Sequence, residues 1–82
     1  MQDGHQVTVL KIDQNTFCQI LDDVRRFLYM IDNVFEVGNY LVLQEYYDNV
    51  LKLSGRNLVT EVTCIERGNL PDEHCILGIR VL

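Results

Sequence analysis

The chain has 82 residues, 48% of them hydrophobic and 23% charged, and seven Lys and Arg against twelve Asp and Glu give a net charge of −5. So short a chain makes one domain, residues 1–82, and buries only roughly 60–65% of its unfolded surface, which excludes a poorly patterned core. The composition excludes an intrinsically disordered chain, no apolar run approaches the roughly 20 residues of a bilayer span, and the acidic excess argues against high-affinity, non-specific binding of polyanions.

Residues 1–5 (Met1 to His5) show neither a basic segment nor an apolar stretch of signal-peptide type, and read as a flexible N-terminus of a cytoplasmic protein. Gln6 to Ile12 is rich in β-branched residues and is expected to form a strand. Asp13 is a good N-cap. Phe17, Ile20, Leu21 and Val24 then recur at i, i+3, i+4 and i+7, the apolar face of a helix over about residues 14–23. Asp22 and Asp23 at its end oppose the helix dipole and keep it short.

Val24 to Ile31 is aromatic and β-branched and reads as a strand, with a helix continuing to about Met30 as the competitor. Val37-Gly38-Asn39 is a turn, and Tyr40 to Tyr47 a strand. Val50 to Leu53 reads as a short returning strand closed by Ser54-Gly55. From Asn57 to Arg67, Leu58, Thr60, Val62 and Cys64 fall on one face and Val59, Glu61, Thr63 and Ile65 on the other. Cys75 to Leu82 is a final apolar strand interrupted by Gly78 and Arg80. The order β-α-β-β-β-β defines an α+β, mainly β fold. A single helix cannot cover both faces of a five-stranded sheet, so closure into a small barrel plugged by the N-terminal amphipathic helix is expected.

Phe35-Glu36-Val37-Gly38-Asn39-Tyr40-Leu41-Val42-Leu43-Gln44-Glu45-Tyr46, followed by Gly55-Arg56-Asn57-Leu58, Val62-Thr63-Cys64-Ile65 and Ile76-Leu77-Gly78-Ile79, carries a family resemblance. It resembles small bacterial and phage PUA-like proteins close to the activating-signal-cointegrator homology (ASCH) domains, across residues 5–81. The resemblance implies a PUA-like β-barrel and a role connected with RNA; some relatives are amidohydrolases of modified nucleosides. The family's Gly-x-Lys-Thr-x-Glu-x-Arg stretch aligns so that Asp22, Val24, Arg25, Phe27 and Tyr29 take the Gly, Lys, Thr, Glu and Arg positions, and the turn aspartate is Asn39. Neither Val nor Phe supplies a proton carrier or nucleophile, so the amidohydrolase activity is not expected here and the cleft reads as catalytically degenerate.

The candidate RNA- or ligand-binding residues are Arg25, Arg26, Phe27, Tyr29 and Arg56: arginines for phosphate, aromatics for base stacking. Their bland alternatives are a solvent-facing arginine, packed aromatics, and an Arg56 that pairs with Glu45 or Glu61. The apolar stretch Phe27 to Ile31 also suggests a protein-interaction or homodimerising surface. Cys18, Cys64 and Cys75 are odd in number and widely spaced, read as reduced and mostly buried, with a reactive thiol as the competitor. His5, His74 and Cys75 lack the spacing of a structural zinc site, and no cofactor is expected. Glu45 and Glu61 read as solvated surface acids rather than paired carboxylates. Of Tyr46 and Tyr47, which point to opposite faces of a strand, at least one is expected to be exposed or at an interface.

Overall fold

In a computed structural model, which describes residues 6–31 and 34–82, the first β-branched run forms β1 (Val7–Asp13) and leads directly into α1 (Gln14–Leu21). Asp13 is the hinge between them. Its carboxylate accepts hydrogen bonds from the Thr16 backbone N–H at 3.0 Å and the Thr16 hydroxyl at 2.8 Å. The backbone hydrogen bond from Thr16 is the main cause holding the Asp13 carboxyl below its usual pKa. Replacing it, Asp13→Ala, is expected to destabilise the domain by about 1 kcal/mol, the usual value of an N-cap, read as a lower urea midpoint. The flexible start expected at residues 1–5 lies outside the described residues.

Four further strands follow: β2 (Phe27–Met30), β3 (Tyr40–Tyr47), β4 (Lys52–Glu66) and β5 (Cys75–Val81). The sheet order is β1-β3-β4-β5-β2, with β1 and β3 parallel and the other neighbours antiparallel. The inner face carries the core: Leu41 and Leu43 of β3, Val62 of β4, Leu77 and Ile79 of β5, and Leu28 of β2. From α1, Phe17 and Ile20 pack against it, with Leu10 and Ile12 of β1 half-buried at the side.

The fold is α+β and mainly β, but the sheet is a half-barrel rather than a closed one. β1 and β2 remain its two edges and exchange no ladder hydrogen bonds with each other. They border a slit of about 420 Å³ lined by Leu10, Lys11, Ile12, Tyr29, Met30 and Ile31. The reason lies in β2. The expected strand over 24–31 shrinks to Phe27–Met30, since Arg25 and Arg26 belong to the chain's return from the helix, and those four residues pair only with β5. The helical alternative for this segment is excluded.

Two irregularities reshape β4. The expected short strand at 50–53 and the strand at 57–67 are one continuous element, because Ser54-Gly55-Arg56 forms a bulge opposite Glu45 instead of a turn. Gly55 sits at φ +96°, a conformation open to glycine at little cost. A second register shift lies between Val62 and Cys64. One extra residue, Thr63, swaps the faces beyond it. Ile65 therefore turns to the core while Cys64 is exposed, the reverse of simple alternation. Of the three free cysteines only Cys75 is buried, and Cys18 is half-buried.

Candidate nucleic-acid interface

The helix ends as its acidic C-terminus requires. Asp22 is the C-cap, and Asp23 enters the left-handed region at φ +62°. The Asp23 N–H donates to the Ile20 carbonyl at 3.1 Å and the Val24 N–H to the Gln19 carbonyl at 2.9 Å, the bonding of a Schellman turn. This turn sends the chain back along the helix, and the Arg25 N–H also reaches the Gln19 carbonyl. The Arg25 side chain then donates to Thr16 Oγ1, to Gln19 Oε1 and to the Phe27 carbonyl. Its guanidinium carbon lies 4.9 Å from the centroid of the Phe27 ring. Among the described residues its hydrogen-bond acceptors are neutral.

Phe27 and Tyr29 alternate with buried Leu28, so both project from the outer face of β2, 49% and 45% exposed. Tyr29 shares a 2.6 Å hydrogen bond with His74 Nδ1, and the two rings meet edge to face at 5.5 Å. Across the ladder Phe27 faces Gly78 and Tyr29 faces Ile76. An edge strand thus presents two aromatic rings to solvent, with one arginine against the first. Arg26 makes an exposed two-pronged pair with Asp23 at 2.7 and 2.8 Å, which holds the Asp23 carboxyl below its usual pKa.

Arg56 is not part of this cluster. It docks beside Phe17 and Cys18, whereas Arg25 docks on Thr16 and Gln19; at about 100° per residue these lie on opposite sides of α1. Arg56 makes a two-pronged pair with Glu45, both bonds 2.8 Å, and its guanidinium lies 5.2 Å from the Phe17 ring centroid. Glu45 is completely covered, so its reading as a solvated surface acid is corrected. Glu61 sits at the other end of the β3–β4 ladder, opposite Tyr40, and pairs with Arg80. Tyr46 and Tyr47 are each half-buried, and Lys11 lies over the Tyr46 ring.

Arg80 was visible in the sequence only as a charge interrupting an apolar strand. In the fold it lines a cavity of about 690 Å³ together with Arg25, Arg26, Asp23, Thr63 and Gly78. His74, weighed in the sequence for zinc alone, is the partner of Tyr29. Among the described residues no group of three His, Cys, Asp or Glu side chains is placed to hold a metal ion, and no helix is long and apolar enough to cross a membrane. His5 lies outside those residues. Asn39 is buried and its side-chain oxygen accepts from the Glu36 N–H at 2.9 Å. It closes the turn before β3, a task that needs an acceptor but no charge.

These features define a small mainly-β domain with an exposed aromatic and arginine face on an edge strand. The chain belongs to the family described as domain of unknown function DUF3850, whose model matches residues 7–79. No match is found among curated proteins.

Proposed function

We propose that the domain binds single-stranded RNA or a nucleotide on the outer face of β2. Phe27 and Tyr29 serve as stacking surfaces, and Arg25 and Arg26 contact phosphate. We read the half-barrel as PUA-like and of ASCH type, on the resemblance across residues 5–81. One observation carries the functional reading. Two aromatic rings stand about half exposed at i and i+2 of one strand, with a guanidinium against the first. Stacking is sequence-tolerant and contributes about 1–3 kcal/mol per base, so an acidic domain can bind through it with few phosphate contacts. Turnover is not part of the reading, because the positions that would hold the family's Lys, Thr and Glu are Val24, Arg25 and Phe27.

The test is fluorescence anisotropy with labelled single-stranded RNA at 50 and 200 mM salt. Binding is expected to weaken with salt, and Phe27→Ala with Tyr29→Ala to weaken it by about tenfold or more, given the energy of base stacking. Equal binding by the double variant and the wild type would overturn the reading. The slit favours a second one, a protein-interaction or homodimerising module, since unpaired edges flank apolar Leu10, Ile12, Met30 and Ile31. It predicts a salt-tolerant complex abolished by Tyr29→Glu.

A further inference from the structure

Gly78 faces Phe27 across the ladder and also lines the 690 Å³ cavity, so the ring and the cavity adjoin. A Cβ at this position would strike Cys64 Sγ, so the Cys64 thiol lies directly over Gly78 and forms part of the cavity wall there. The cavity falls within the range of small-ligand pockets, about 300–1,000 Å³. Three arginines line it against one aspartate. They come from different parts of the chain: Arg25 and Arg26 from the return after α1, Arg80 from β5. The Ile79 N–H donates to the Arg26 carbonyl at 3.0 Å and ties these two segments together.

We propose that this cavity seats a terminal phosphate, a phosphomonoester dianion, of the nucleotide or RNA whose base stacks on Phe27; this rests on the nucleic-acid reading above. The charge balance selects the monoester. Arg26 and Arg80 already hold acid partners, Asp23 and Glu61, in pairs whose arginine side chains are 72% and 65% exposed. The Arg26–Asp23 pair, exposed on both sides, contributes little and can be exchanged for another anion. Arg80, with five N–H donors, can bind an anion beside Glu61. An internal phosphodiester carries one negative charge and offers little in return for releasing Asp23. A phosphomonoester carries about −1.5 to −2 at pH 7 and has three acceptor oxygens, enough to engage the Arg25 guanidinium, whose present acceptors are neutral, together with Arg26 and Arg80. The Thr63 hydroxyl lines the same cavity as a further donor.

The experiment measures anisotropy for one short RNA sequence carrying a 5′-phosphate, a 3′-phosphate or hydroxyls at both ends, with a free nucleoside monophosphate as competitor. One phosphorylated end is expected to bind about tenfold or more tightly than the hydroxyl-ended strand, as charge-assisted, two-pronged arginine bonds to a dianion imply. Arg80→Gln, checked for folding by thermal melting, is expected to bring that ratio close to one. Competition by the monophosphate at similar affinity identifies a free nucleotide as the ligand; its absence identifies a phosphorylated RNA end. Equal binding of all three strands overturns the terminal-phosphate site and leaves the stacking face standing. No binding by any strand overturns both.

Discussion

Phe17→Ala is expected to destabilise the domain by about 3–5 kcal/mol, the usual loss for a buried aromatic. A chain of this length holds in total about 4–12 kcal/mol, so the variant is expected to be largely or wholly unfolded under mild conditions. The argument is local as well as energetic. Helix α1 has eight residues, too few to persist without packing. Only Phe17 and Ile20 of α1 are fully buried, and Phe17 is 1% exposed. Truncating the ring removes one of the helix's two anchors and also the surface on which the Arg56 guanidinium lies. Urea unfolding followed by circular dichroism measures the loss. A midpoint within error of the wild type would show that the helix does not depend on this contact. The consequence reaches the candidate site, because Thr16 and Gln19 of the same helix hold Arg25 against Phe27. A residual folded fraction is therefore expected to bind RNA more weakly than its population alone accounts for.

Most of the fold was legible because most of it follows simple periods. Asp13 announced the helix start, the i, i+3 spacing of Phe17 and Ile20 marked its buried face, and Tyr40 to Tyr47 form the expected strand. Leu21 and Val24, expected on the same apolar face, are 44% and 76% exposed, because the helix ends at Leu21 and the chain turns away. What escaped depends on pairing between distant residues. Gly55 reads as a turn in any local window; it becomes a bulge only because β3 brings Glu45 opposite it. The face of Cys64 cannot be read from alternation, since the extra residue at Thr63 is defined by β5. Closure of the barrel depended on the length of β2, set by where the return after the helix ends. The same division holds for the site. Arg25, Phe27 and Tyr29 are close in sequence and were found together. Arg80 and Gly78 lie some fifty residues further along the chain and join them only through the β2–β5 ladder.

Arg56→Met is expected to lower the melting temperature at pH 7 by about 10 °C or more, from the general cost of leaving a buried carboxylate without its half-exposed arginine partner in a small domain. The bulge at Ser54-Gly55-Arg56 brings the guanidinium onto Glu45, and Ser54 Oγ accepts from the Arg56 N–H at 3.0 Å. Hydrogen bonds from Arg56, then Ser54, hold the Glu45 carboxyl at a pKa of about 2, against the opposing effect of burial. A carboxyl whose pKa is lowered by folding stabilises the fold above its unfolded value of about 4.3, and that contribution is lost as pH falls toward the folded value. The wild type is therefore expected to lose stability between about pH 5 and pH 2, in part through Glu45. Without Arg56 the carboxylate keeps only its weaker partners while burial raises its pKa, so the acid-side loss is expected to shrink. Removing the charge as well, Glu45→Gln with Arg56→Met, relieves the stranded carboxylate and is expected to restore part of the melting temperature. Melts of the four proteins at pH 7, 5 and 3 complete a double-mutant cycle. Additive effects with parallel pH profiles would show that Glu45 and Arg56 are neighbours without energetic coupling, and that the bulge positions Arg56 for some other purpose.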